Sequence, residues 1–245
     1  QIIQNKKILL RVDYNIDLDS KGKIISDFRI RASLPTINFL LKNKAEKIII
    51  ISHLGRPEGK DKKLSLLPIA KHLEKLLKQK VVFIDDCIGE KVKSKIKNSN
   101  EKIFVLENLR FYKGEENNDK NFAQELAQLA DICVNDAFGV CHRLNASVAA
   151  INNFLPSYAG LLLEKEVKNL KKLKENVKHP FVVVLGGAKI STKLPIIKEF
   201  LNIADYILLG GGLANTVWKS WEFEVGKSLV EEEKLAEAKK LGSQK

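Results

Sequence analysis

Seven short runs of β-branched and apolar residues punctuate the chain: Ile8–Asp13, Lys47–Ser52, Val81–Asp85, Ile103–Glu107, Ile132–Asn135, Phe181–Gly186 and Tyr206–Gly210. Each ends abruptly in small or polar side chains. A strand that is apolar on both faces has to be covered on both, as in a parallel sheet lying between helices. The intervals carry the helical complement. Ile30, Leu34, Ile37 and Leu41 repeat at helical spacing, with Pro35 positioned to kink that helix. Ser65 is placed as an N-cap for a helix through Leu73, Leu76 and Leu77, with Pro68 in its tolerant first turn. Phe122, Leu126 and Leu129 mark another. Strands alternating with helices predict βαβ units with right-handed crossovers, and so an α/β fold.

A longer pattern stands apart. Leu163, Val167, Leu170, Leu173 and Val177 fall on one stripe opposite a lysine-rich face, and His179-Pro180 stops it. Such a helix between two βα series reads as a connector. The expected organisation is a first domain over residues 1–160, a connecting helix over 161–179 and the start of a second domain over 180–245. The segment from Glu231 to Leu241, acidic at its start and basic at its end, suits the dipole of a last helix. Two strands are too few to close a doubly wound core. The architecture expected is therefore two doubly wound parallel-sheet domains, the second incomplete in this chain. The absence of any methionine likewise suggests that the 245 residues do not begin at a natural start.

Composition narrows the functional classes. An apolar content of 44% supports a sizeable core and argues against a disordered tail. No apolar run approaches the roughly 18 residues that span a bilayer, so no membrane partner is expected. Cys87, Cys133 and Cys141 form no C-x-x-C pair, which suits reduced thiols and a cytoplasmic location. The net charge of +12 raises nucleic-acid binding as a rival reading, but only 7% of residues are aromatic and no basic-aromatic interleaving occurs.

The cations differ in kind. Of the 42 basic residues only six are Arg: Arg11, Arg29, Arg31, Arg56, Arg110 and Arg143. Where Lys is the default, an Arg marks a place that needs a rigid fork for carboxylate or phosphate. Structural ion pairs are the favoured reading for Arg11 and Arg31, whose neighbours suggest a strand and a helix. In open α/β sheets ligands bind beyond the carboxyl ends of the strands. Asp13-Tyr14-Asn15, Ser52 to Pro57, Glu107 to Arg110, and Asn135 through Arg143 all occupy such places, and Arg29 opens the first helix. Arg29, Arg56, Arg110, Arg143 and His53 would line a cleft for a small polyanion. Asp13 and Asn15 could equally cap a turn. No His/Cys cluster has metal-ligand spacing, so no metal site is expected in the chain.

The second series carries Gly186-Gly187-Ala188-Lys189-Ile190-Ser191-Thr192-Lys193 after a strand. Glycines let backbone N–H groups approach phosphate oxygens, and Lys189 and Lys193 at helical spacing could share one face toward an anion. The spacing is not that of a Walker A loop. Gly210, Gly211 and Gly212 would permit a second close approach, to a flat base. Two anions brought to 4 Å at an effective dielectric of 20 repel by about 4 kcal/mol. Cations from both walls would have to offset this, which is the main task of phosphoryl transfer. No general base stands out, and a carboxylate acceptor would need none.

The stretches RVDYNIDL, DFRIRASLPTI, SHLGRP, LENLRFYKGEE, NDAFGVCHR, LGGAKISTKL and LGGGLANTV, in that order, resemble phosphoglycerate kinases along essentially the whole chain. The resemblance implies reversible phosphoryl transfer from 1,3-bisphosphoglycerate to ADP, giving 3-phosphoglycerate and ATP, with Mg2+, in glycolysis. It also implies a monomeric, bilobal, hinge-closing enzyme. By resemblance, Asp13, Asn15, Arg29, His53, Arg56, Arg110 and Arg143 would bind phosphoglycerate, with Arg29 also stabilising the moving phosphoryl group. Lys189 would meet that group, Lys193 would hold nucleotide phosphate, and Gly210, Gly211 and Gly212 would lie near adenine. Asp17, Val140, Asn145 and Thr192 depart from the family pattern without removing a charged contact. The family's later phosphate loop and its metal-anchoring aspartate are not found in the chain. A non-catalytic phosphoglycerate-binding fragment is the alternative.

Overall fold

In the computed structural model, residues 2–20, 22–175 and 177–241 are described; residues 242–245, the end of the expected second domain, lie outside them. The elements follow as β1 (Lys7–Arg11), α1 (Phe28–Lys42), β2 (Lys47–Ile51), α2 (Leu67–Leu77), β3 (Val81–Ile84), α3 (Glu90–Asn98) and β4 (Ile103–Leu106). Then come α4 (Lys113–Glu116), α5 (Lys120–Ala127), β5 (Ile132–Asn135), β6 (Ser157–Ala159) and α6 (Leu161–Glu175). The last are β7 (Val182–Gly187), α7 (Leu194–Leu201), β8 (Tyr206–Gly211), α8 (Gly212–Ser220) and α9 (Leu235–Lys239). Two compact units divide the chain, Gln1–Asn169 and Leu170–Lys245.

The first unit is an α/β layer structure around a parallel sheet of order β3-β4-β2-β1-β5-β6. Alternation along each strand sends side chains to opposite faces. Ile8 and Leu10 of β1, with Ile48 and Ile50 of β2, pack under Ile30, Ile37 and Leu40 of α1 and Ile69 and Leu73 of α2. Leu9, Ile49, Ile51, Phe104 and Leu106 pack on the other face against Val92 and Ile96 of α3 and Phe122 and Leu126 of α5. The chain builds β2, β3 and β4 on one side of β1, with β4 inserting between β2 and β3, and then adds β5 on the other side. The crevice at a reversal of this kind is where a ligand-binding site belongs.

Several expectations are refined. Helix α1 runs through Pro35 without ending. Ser65 is not the N-cap of α2; that position is Leu66, whose N–H donates to Glu107 Oε1 at 2.9 Å, while Ser65 Oγ accepts Leu67 N–H. The local hydroxyl therefore does accept the first helical N–H, and a carboxylate from the end of β4 accepts the N–H before it. The sequence pattern also misses β6, whose Ser-Tyr-Ala has no β-branched run, and α3, whose apolar face is two residues wide. Helix α6 ends at Glu175, so Val177 lies beyond it. Its expected stripe is not its buried face: Val167 and Leu170 are 39% and 47% exposed. The helix meets the first unit through Leu161, Leu162, Lys165 and Glu166, which line a cleft instead.

In the second unit β7 and β8 pair in parallel, with Val182 opposite Tyr206 and Gly187 opposite Gly211. Ile190, Leu194, Ile197, Leu213, Val217 and Ala238 form its core. The strands are not covered on both faces as their composition suggested: Val184 and Leu208 are 73% and 54% exposed.

Candidate functional site

The rim of the six-stranded sheet is built by loops that hold one another. After β1, Ser52 Oγ accepts Tyr14 N–H at 2.9 Å and donates to the Val12 carbonyl, tying the first strand end to the second. Asn15 Oδ1 accepts Gly55 N–H at 2.8 Å, so Asn15 fixes the loop that carries His53 and Arg56. Asn108, fully buried, accepts Leu54 N–H and donates to the carbonyls of Leu54 and Leu64, locking the same loop from the β4 side. Three consecutive strand ends are thereby held in one frame by side-chain amides and a hydroxyl.

The charged groups sit on this frame. Asp13 accepts Asn15 N–H through Oδ1, as a turn cap would, and through Oδ2 pairs with Arg29 Nη1 at 2.5 Å. The turn-capping role is therefore realised, and the other carboxylate oxygen is taken up by Arg29. Arg110, 6% exposed, donates to the Gly55 carbonyl, and its Nε lies 3.5 Å from Glu116. Burial lowers the Arg110 pKa; Glu116 offsets this, whereas Arg143 and Arg56 reinforce it. His53 is buried, and its pKa is pushed down to about 2 by burial first and then by the charges of Arg11, Arg110, Arg143 and Arg29. The neutral His53 thus lies in the field of Arg11, Arg29, Arg110 and Arg143, while Arg56 and Arg143 act on Arg110.

A cleft of about 600 Å³ opens at the β1/β5 reversal, lined by Asp13, Arg29, Phe138, Gly139 and Asp136 among others. A second, of about 530 Å³, lies between Arg56, Arg110 and Lys113. The first cleft carries the carboxylates of Asp13, Asp136 and Glu166 beside Arg29 and Lys165, whereas the second sets Arg56, Arg110 and Lys113 against Glu58 and Glu116, an excess of cations suited to an anion.

Sequence reasoning missed two participants here. Arg11, expected to make an ion pair, makes none among the described residues: its guanidinium bonds to Ser147 Oγ, the Val12 carbonyl and His53 Nδ1. Arg31 does pair, with Asp27 at 2.9 Å. Asp136 caps α6 from a distance, Oδ1 accepting Leu162 and Leu163 N–H at 2.8 and 3.2 Å, while Thr36 Oγ1 accepts Leu161 N–H at 3.1 Å. Burial raises the Asp136 pKa, against hydrogen bonds from Thr36, Leu163 and Leu162 that lower it. The only signal in the sequence was its place at a strand end.

In the second unit Lys189 and Lys193 are both exposed, but not on one helix face. Helix α7 begins only at Leu194, because Pro195 favours its first turn, and Lys193 is the N-cap residue. The preceding turn is held by Glu231, which accepts Ser191 N–H at 2.9 Å and Ser191 Oγ at 2.5 Å. Gly210 and Gly211 belong to β8 itself. A Cβ on Gly212 would lie 2.3 Å from the Ala188 carbonyl oxygen, so that glycine lets the two strand-end turns touch, while Gly210 faces open space.

An open parallel α/β sheet with arginines in the turns at its strand ends defines the chain as an α/β protein of the doubly wound class. The comparisons narrow the class to a family. The family model described as phosphoglycerate kinase matches residues 2–245. The phosphoglycerate kinase of Coprothermobacter proteolyticus is 47% identical over 241 residues, 98% of this chain and 61% of its own length. That of Desulforapulum autotrophicum is 51% identical over 232 residues, 94% of this chain and 59% of its own length. The solved phosphoglycerate kinase of Coxiella burnetii superposes with a TM-score of 0.84 at 39% identity, covering 98% of this chain and 61% of that one. The chain belongs to the phosphoglycerate kinase family. It spans about 60% of the length of the curated relatives it matches.

Proposed function

We propose that the chain is the phosphoglycerate-binding part of a phosphoglycerate kinase, with a portion of its nucleotide-binding part. The reaction is reversible transfer of a phosphoryl group from 1,3-bisphosphoglycerate to ADP, giving 3-phosphoglycerate and ATP, in cytoplasmic glycolysis by a monomeric enzyme. The observation that carries this reading is the gathering of cations at the strand ends: Arg11, Arg29, Arg110 and Arg143 act on the buried His53, and Arg56 and Arg143 act on Arg110.

In this reading residues 1–160 bind phosphoglycerate and 180–245 contribute to the nucleotide, joined through 161–179. Asp13 and Asn15 orient the substrate, and the guanidinium forks neutralise its phosphate and carboxylate. Arg29 offsets charge on the transferring group, an interaction that strengthens in the transition state. The acceptor carboxylate is ionised at neutral pH, so the site's lack of a strong base is no obstacle. Lys189 and Lys193 are exposed cations suited to phosphate, and Gly210 leaves open backbone for a base. Among the described residues no three His, Cys, Asp or Glu side chains gather as a ligand set. Magnesium would enter with the nucleotide, bound to its phosphates, and would offset their charge.

Calorimetric titration with 3-phosphoglycerate tests the reading. Binding that is lost in Arg110→Ala and weakened by salt supports it, and no binding at millimolar ligand refutes it. A coupled ATP assay then separates an active kinase from a binding fragment.

A further inference from the structure

A buried relay lies behind the rim. Glu115, 1% exposed, accepts Ser147 N–H at 2.9 Å and Ser147 Oγ–H at 2.6 Å. With its proton committed to Glu115, the Ser147 hydroxyl accepts from Arg11 Nε at 2.9 Å. Arg11, 1% exposed, donates from Nη1 to the Val12 carbonyl and from Nη2 to His53 Nδ1, 3.1 Å away. A guanidinium has donors and no acceptor. The Arg11 contact is therefore a hydrogen bond only if Nδ1 is unprotonated, and a neutral imidazole must then carry its proton on Nε2.

We infer that Arg11 is a positioning residue that fixes His53 in the Nε2–H tautomer, held in place for this by Ser147 and Glu115. His53 then presents a single N–H donor and never a second cation. The charged groups acting on it are Arg11 from β1, Arg29 from α1, Arg110 from the turn after β4 and Arg143 from the turn after β5. A donor without charge among four guanidinium groups reads a ligand oxygen by direction, whereas the arginines supply the field. That one arginine sits beneath the site, with no carboxylate paired directly to it, follows from this use of its fork.

Only the ligand arm of the test rests on the proposed function. In the 245-residue chain labelled with 15N-histidine, long-range 1H–15N spectra should show His53 with a pyridine-like Nδ1 and a pyrrole-like Nε2, unchanged between pH 7 and pH 5. Assignment comes from loss of the signals in His53→Gln. An Nδ1–H tautomer or an averaged pair in the wild type overturns the inference. Ser147→Ala removes the spacer and lets Arg11 swing to Glu115. Tautomer averaging at His53 is then expected, with 3-phosphoglycerate affinity about tenfold weaker, the effect of losing one charge-assisted contact. A lower melting temperature with unchanged tautomer and affinity would mean that Arg11 is merely structural. Should the wild type bind no 3-phosphoglycerate, the functional reading fails, and the wild-type tautomer still decides the role of Arg11.

Discussion

Arg29 Nη1 lies 2.5 Å from Asp13 Oδ2, joining the start of α1 to the loop after β1 across the mouth of the 600 Å³ cleft. The pair holds one arm of the fork while Arg29 stays half exposed, so the guanidinium is aimed without being used up. Lysine, a point charge on a flexible stem, cannot keep that geometry. In a phosphoglycerate kinase assay, Arg29→Lys is expected to lower kcat about 100-fold with little change in KM, as for loss of a donor that acts in the transition state. An unchanged kcat would remove Arg29 from that role.

His53 makes folding depend on pH. Its folded pKa of about 2 lies below the unfolded value near 6.5, so between these limits the unfolded chain binds one more proton. Stability must rise with pH through this window, and the contribution present above pH 6.5 is lost as pH falls. The slope from this residue approaches ~1.4 kcal/mol per pH unit. Urea midpoints at pH 5, 6 and 7 should converge less steeply in His53→Gln than in the wild type, and parallel slopes would contradict the assignment.

Asp136 binds the first N–H groups of α6, and a Cβ on Gly160 would stand 2.2 Å from its Oδ1. Asp136→Ala leaves two helix donors unsatisfied and is expected to destabilise the chain by about 2 kcal/mol. Gly160→Ala should cost a similar amount by overpacking. Because both substitutions disrupt one contact, the double variant should be less than additive. Additive losses in a denaturation cycle would mean that the two sites are independent.

Lys47 is buried beneath the end of α3, where its Nζ donates to the carbonyls of Ile96, Lys97 and Ser99 and lies 5.7 Å from the Phe104 ring centroid. A cation at a helix C-terminus satisfies orphan carbonyls and meets the negative end of the dipole. Lys47→Met keeps the apolar stem and removes the charge, with an expected loss of about 2 kcal/mol in thermal or urea unfolding. Stability equal to the wild type would show that water serves those carbonyls as well.

Much of this was legible from residue order. Ile48 to Ile51 had to be a covered strand, because no other arrangement hides consecutive branched side chains on both faces. The rule placing ligands at strand carboxyl ends selected Asp13, His53, Arg110 and Arg143 before any coordinates. Local pattern failed wherever the partner was distant. Ser65 takes the Leu67 N–H as a cap would, but nothing local showed that Glu107, 41 positions on, takes that of Leu66. Lys189 and Lys193 looked like one helix face, but Pro195 starts the helix after them.

Periodicity and composition by themselves determined a parallel α/β chain with its scarce arginines at strand ends, because burial on two faces and the need for rigid forks act residue by residue. Tertiary structure alone decided that β1 lies between β2 and β5, that Arg11 faces His53 and that Asp136 caps α6. Those contacts join residues 26 to 124 positions apart, and only folding fixes which distant donor meets which acceptor.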